Sequence, residues 1–237
     1  LTYQRDRTLA HQIPQISRRS LLEYLTPVQA RPADTIAAVM AAPPHAPPDA
    51  LLLPLVPHPA TPLATAVRLG AQVWRERTAL RLRYVLQTAL KALRLPPPSS
   101  APQARDGLWQ HTCFEAFVGA PGTPRYREFN FSPSGDWAAY AFSAERLRDP
   151  AADPLPAPRI ACTAGAQGLT LDAWLPAAAL PAEPGPLLLG LSAVLETRDG
   201  GLGYWALRHP AARPDFHAHA GWTATLPAAE NSTPITP

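Results

Sequence analysis

GLWQHTCFEAFVG, residues 107–119, and YREFNFSPSGDWAAYAF, residues 126–142, decide how this chain is read. Leu108 to Val118 is rich in aromatic and β-branched residues and has no proline, the composition of a strand. Ala120-Pro121-Gly122-Thr123-Pro124 comes next as a turn, because proline fixes φ and glycine tolerates positive φ. Tyr126 to Ser132 predicts a second strand, Ser132 to Asp136 a second turn, and Trp137 to Phe142 a third strand, which together make a meander. Side chains alternate across a strand. Trp109, His111, Cys113, Glu115 and Phe117 are therefore expected on one face. Tyr126, Glu128 and Asn130 share another, with Phe129 and Phe131 left for the core. Two carboxylates, an amide, an imidazole and two aromatics on adjoining strands suit a binding surface.

Outward from this stretch the same alternation recurs. Leu51 to Val56 is an apolar strand closed by Pro57-His58-Pro59. Val67 to Trp74 and Leu80 to Gln87 alternate apolar and polar positions around a turn at Arg75 to Thr78. Arg75, Arg77, Arg81 and Arg83 mark the expected wet side of that hairpin. Ala89 to Leu95 fits either a helical turn or a short strand. On the C-terminal side, Ala144 to Arg148 and Ala177 to Leu180 each suit one helical turn. Arg159 to Thr163 and Leu169 to Leu175 form a hairpin with Leu169, Leu171, Ala173 and Leu175 facing inward. Leu187 to Thr197 is nearly continuous in apolar residues, as in a strand buried on both faces. Asp199-Gly200-Gly201 is a hairpin turn, and Tyr204 to Arg208 and Trp222 to Leu226 close the sheet. The expected fold is all-β, an antiparallel β-sandwich of Ig-like or jelly-roll type with about nine to eleven strands.

With 237 residues and 46% hydrophobic content the chain can bury an ordinary core. Its 31 prolines cluster in connecting stretches and argue against a helical protein. Residues 1–50 differ in composition and end in a proline-rich run, so they are expected to be a poorly ordered or misassigned leader. Residues 51–228 are expected to hold the sandwich and 229–237 a flexible tail. Ser17-Arg18-Arg19-Ser20-Leu21-Leu22 is faintly like a twin-arginine export signal, but polar residues and proline break up the apolar region that such a signal needs directly after it. A cytoplasmic location is the expectation. A net charge of +3 without a basic block gives no footprint for nucleic acid, and no apolar run reaches the roughly 20 residues of a bilayer span. Cys113 and Cys162 sit in apolar strand patterns and are expected to be buried free thiols.

The Trp109…Glu115 spacing in LWQHTCFE and the YREFNFSPSG run resemble family 9 carbohydrate-binding modules and their relatives, the DOMON-like domains, above all the bacterial DOMON-like group of unsettled role. GYWALRHP and PDFHAHAGWTATL look like the last strands of the same fold, so the resemblance covers roughly residues 51–226. It implies a non-catalytic sandwich that binds a saccharide or glycan fragment, with no cofactor. In that family a sugar lies between two tryptophan rings. Trp109 matches the first by motif. The PDFH segment has no tryptophan for the second, and Trp205 and Phe216 stand in. An aromatic platform suits the apolar C–H face of a sugar, and carboxylate and amide groups suit its hydroxyl edge. The candidate ligand-binding residues are thus Trp109, His111, Glu115, Tyr126, Glu128, Asn130, Trp205 and Phe216.

The same residues bear on other chemistries. Glu115 with Glu128 is formally a glycosidase pair, though sequence leaves their separation open. His111, His209, His217 and His219 lack the cysteine or carboxylate spacing of a zinc site. Some DOMON domains hold b-type haem through Met and His, which makes a haem-binding electron-transfer module the alternative function. The one methionine, Met40, lies in the leader, which leaves only a bis-histidine arrangement of His111 and His209. A structural or partner-binding module is a third reading. No nucleophile elbow or phosphate-binding glycine loop is present.

Overall fold

Alternation puts Leu69, Ala71 and Val73 on one side of their strand and Leu80, Leu82, Tyr84 and Leu86 on the matching side of the next, and all are buried. This hairpin is the centre of one of two sheets in a computed structural model that describes residues 47–153, 155–183 and 185–228. Of the expected leader over residues 1–50, residues 1–46 lie outside the described residues, as does the tail over 229–237.

The strands are β1 (Leu51–Pro57), β2 (Arg68–Glu76), β3 (Ala79–Gln87), β4 (Cys113–Gly119), β5 (Tyr126–Phe131), β6 (Trp137–Ala144), β7 (Leu147–Arg148), β8 (Arg159–Gly165), β9 (Gly168–Pro176), β10 (Leu187–Glu196), β11 (Leu202–Ala206) and β12 (Ala224–Leu226). All pairings between them are antiparallel. The first layer runs β1-β2-β3-β9-β8. The second runs β7-β6-β5-β4-β10, with β11 and β12 sharing the free edge of β10. β1 belongs to both layers: Leu51 to Leu55 pair with β2, whereas Val56 and Pro57 pair with β11. A strand that changes layers turns the corner of the sandwich and removes one exposed edge. Five single 3-10 turns complete the described elements. Among the described residues no helix is long and apolar enough to cross a membrane.

The inner faces meet in one core. Phe114, Ala116 and Val118 of β4, with Phe129 and Phe131 of β5, pack against the leucines of β2, β3 and β9. Tyr84 stands among them and donates its hydroxyl across the layers to the Glu115 carbonyl, at 2.6 Å. A buried phenol must find an acceptor. This bond ties β3 to the backbone of β4 at the residue whose side chain faces the opposite way.

The antiparallel sandwich and the inward face of Leu169, Leu171, Ala173 and Leu175 agree with the sequence reading. Cys113 and Cys162 are free thiols, and Cys113 is buried as expected, whereas Cys162 is only half-buried. Three expectations are corrected and one open choice is resolved. Leu108 to Val118 is not one strand: Leu108–Gln110 is a 3-10 turn, and β4 begins at Cys113. Gly107, at φ 75°, lets the chain turn there. Ala144 to Arg148 is a tight β-turn into β7 rather than a helical turn, which raises the strand number to twelve. Ala89 to Leu95 combines both options, a 3-10 turn at Leu90–Ala92 and a single bridge from Leu93 to Thr197. The arginines of the β2–β3 hairpin are not simply solvated. Arg83 is buried and forks onto Asp172 at 2.7 and 3.1 Å, and Arg81 lies between Trp74 and Trp174 at 5.1 and 3.9 Å.

Candidate functional site

The outward face of the second layer is unusually polar for so deep a position. Along β4 it carries Cys113, Glu115 and Phe117, and along β5 Asn130, Glu128 and Tyr126. The register sets Glu115 opposite Asn130 and Phe117 opposite Glu128. The two glutamates are therefore diagonal neighbours on one face, within reach of each other through their side chains. They are 3% and 5% exposed. On the neighbouring strand β6, Tyr140 stands opposite Glu128 and Phe142 opposite Tyr126. Over this face lies a groove of about 1230 Å3. Glu115, Phe117, Glu128, Tyr140 and Phe142 line it from the sheet. Segments 105–111 and 213–217 line it from the loops, with Arg146 and Arg148 from the β6–β7 turn and Tyr204 from β11.

Burial pushes both acids up. Glu128 rises to about 7, and burial outweighs its short bond from Asn130 Nδ2 (2.6 Å) and the more distant charges of Arg148 and Arg146. Glu115 is held well above the usual carboxylate range, first by burial and then by the charge of Glu128. Its Oε1 is buried without a hydrogen-bond partner. His217 Nε2 lies 3.7 Å from Glu128 Oε2. Burial and Arg146 depress that imidazole to about 4, so it is neutral at pH 7 and brings no counter-charge.

The rim is arranged differently, with most cations already matched. Arg146 reaches Asp215 at 2.7 Å, Arg148 reaches Asp153 at 2.6 Å, and Arg105 reaches Asp136 at 2.9 Å. Arg148 also lies over the Tyr140 ring at 4.0 Å. Arg146 is the one non-glycine residue with positive φ among those described, at 58°. Its N–H bonds Tyr126 Oη at 3.0 Å while its guanidinium holds Asp215, so backbone and side chain are pinned from two sides. Asp215 in turn accepts the His217 N–H at 3.1 Å, the turn-acceptor role its place after Pro214 suggests. Tyr126 Oη also bonds His217 Nδ1 at 2.7 Å, and Trp222 donates to the Phe216 carbonyl at 2.8 Å. These contacts fix the 213–217 segment over the sheet.

Of the residues read from sequence, Trp109, His111, Glu115, Glu128 and Phe216 line the groove. Trp109 is 51% exposed, which is high for so large an apolar ring. It reaches the groove because the chain bends after the 3-10 turn. The separation of about 20 Å that one straight strand would impose on Trp109 and Glu115 does not apply. His111 is fastened to Glu196 at 2.8 Å. Asn130 and Tyr126 are buried beneath the groove, where they hold Glu128 and His217. Trp205 is corrected outright: it points into the inter-layer core and does not line the groove. Sequence reasoning missed Tyr140, Phe142, Arg146, Arg148 and Tyr204. Only the strand register brings the first two beside Glu128 and Tyr126, and only the β6–β7 turn brings the arginines.

His209 Nε2 bonds the Val56 carbonyl at 2.9 Å, and His111 bonds Glu196 through Nδ1. Among the described residues no cluster of three potential metal ligands occurs.

No family profile matches the chain, and no curated protein does. Solved structures do. A protein from Bacteroides uniformis, described as a candidate carbohydrate-binding protein, superposes with a TM-score of 0.54 at 17% identity, over 75% of this chain and 86% of that one. A family 9 carbohydrate-binding module from Caldicellulosiruptor kristjanssonii, solved with cellotriose and with glucose, gives a TM-score of 0.48 at 8% identity over 78% of this chain. At such identities the likeness is one of fold.

Proposed function

We propose that the groove binds a saccharide, and that the chain is a DOMON-like binding module. The observation that carries this is Trp109, a half-exposed indole at a groove whose floor offers buried carboxyl groups. A sugar ring has an apolar C–H face and a hydroxylated edge. An indole matches the first, and fixed acceptors and donors match the second. Glu115 and Glu128 present both kinds, because a raised carboxyl still holding its proton donates where an ionised one only accepts. Tyr140, Phe142 and Phe216 add further rings along the same groove. The likeness of fold to a protein described as carbohydrate-binding supports the same reading. The DOMON-like assignment rests on the LWQHTCFE and YREFNFSPSG runs.

The test is a glycan array, with thermal-shift titration of the hits. The reading predicts at least one saccharide that raises the melting temperature in a dose-dependent way, because a ligand that binds only the native state stabilises it. An array without hits would sink it.

A further inference from the structure

The acidic groups of the groove outnumber their basic partners where it is deepest. Arg105, Arg146 and Arg148 each hold a carboxylate of their own at the rim. Among the described residues, Glu115 and Glu128 on the floor have no cation within ion-pair distance, and His217 at 3.7 Å is neutral. Asp106, which accepts the Tyr140 hydroxyl at 2.6 Å, also lines the groove with no cationic partner among the described residues. The remaining guanidinium of the lining is Arg213, and it is exposed, where water and salt screen it. The described acids of the groove thus outweigh the cations left to meet them. Around the two glutamates stand Phe117, Tyr140 and Phe142, whose ring faces attract a desolvated cation. Glu115 Oε1 is a buried acceptor with nothing donating to it, although buried polar atoms almost always find a partner.

A neutral hydroxyl could fill that place only in part. An ammonium group brings a positive charge and three N–H donors, enough to reach both carboxylates at once.

We propose that the ligand is a saccharide carrying a free, protonated amino group, seated with its ammonium over Glu115 and Glu128. This rests on the saccharide reading and narrows it to amino sugars whose nitrogen is not acetylated. Burial favours the protonated forms of both acids, in Glu115 with the charge of Glu128 added, and the arriving ammonium favours the ionised ones. Binding therefore expels a proton from the pair into solvent. The groups that face the pair are Asn130, Arg146, Arg148 and His217, the phenols of Tyr84, Tyr126 and Tyr140, and Cys113 buried beside Asn130.

The experiment is isothermal titration calorimetry at pH 6.5 with three probes: the β-1,4-linked disaccharide of glucosamine, its fully N-acetylated counterpart, and cellobiose. Running each in two buffers of different ionisation enthalpy reports the protons exchanged. The proposal expects the amino disaccharide to bind at least about tenfold more tightly than either other probe, with net proton release confined to it. Glu128→Gln and Glu115→Gln should each weaken the amino disaccharide by a larger factor than cellobiose. Equal affinity of the three probes, or tighter binding of cellobiose, would overturn the amino-sugar inference and leave the saccharide reading standing. Binding of none of the three, together with an array devoid of hits, would overturn both.

Discussion

Glu128→Gln isolates what the buried acid does to stability. In the native protein Glu128 keeps its proton up to about pH 7, against about 4.5 for an ordinary glutamate. Between those values the native state binds the extra proton, so the contribution of this group is full below about pH 4.5 and is lost as pH rises to about 7. At about 1.4 kcal/mol per pH unit, the loss is about 3 kcal/mol. His217 works in the opposite sense. Its native value is depressed to about 4, so the native state sheds that proton early and gains stability as pH rises through the acid range. The wild-type profile alone therefore mixes two opposed slopes. The difference between wild type and Glu128→Gln cancels the part of the His217 slope that both proteins share. Glutamine keeps the shape and accepts the Asn130 bond but cannot ionise. Urea unfolding at half-unit steps from pH 4.5 to 8 is the assay. The variant should gain about 3 kcal/mol relative to wild type across that range, roughly 1 M or more in urea midpoint. Release of Glu115 from the charge of Glu128 adds to the gain in the same direction. Two profiles that stay parallel from pH 4.5 to 8 would show that Glu128 is ionised and solvated in the native protein.

Phe129 is fully buried between the layers, and Phe129→Ala should cost about 3–5 kcal/mol in unfolding free energy. An unchanged urea midpoint would mean that the inner face of β5 is assigned to the wrong side. Gly190 lies under Trp222, and a Cβ there would overlap the edge of its indole ring. Since Trp222 also stacks on Phe117 at 5.7 Å and holds the Phe216 carbonyl, Gly190→Ala should destabilise by about 1–3 kcal/mol and weaken ligand binding together. Wild-type melting and wild-type affinity in that variant would refute the packing described for the 213–217 segment. Arg146→Ala removes the ion pair to Asp215 and leaves an unfavourable positive φ, so it should lower affinity more than Arg105→Ala, whose pair to Asp136 lies on the other loop. Titrating both variants with one saccharide checks the order.

The layers were legible because period-two alternation survives wherever one face is dry. Leu169 to Leu175, and the opposition of Phe129 and Phe131 to Tyr126, Glu128 and Asn130, could be read residue by residue. The site was legible only as far as that alternation reaches. At Leu108 to His111 aromatic content favours a strand, but Gly107 in the left-handed region and the need to join the 99–106 loop to β4 override it. In β11 the neighbours Tyr204 and Trp205 are both aromatic, so the pattern cannot tell which one faces inward; pairing of Trp205 with Ala193 in β10 decides it. The coupling of Glu115 to Glu128 depends on register across β4 and β5, which no local pattern encodes. Arg146 and Arg148 reach the groove through a tight turn whose Glu-Arg sequence carries no glycine signal.

The central claim is that the groove beside Trp109 is a saccharide site, and calorimetric titration of Trp109→Ala with the best saccharide hit tests it most directly. Trp109 stands 51% exposed at the mouth, so its removal should leave folding intact while taking away the stacking platform. The account predicts a loss of about 2 kcal/mol or more, roughly 30-fold in Kd, with the melting temperature of the free protein unchanged. Wild-type affinity in Trp109→Ala would contradict it and move the site away from the groove.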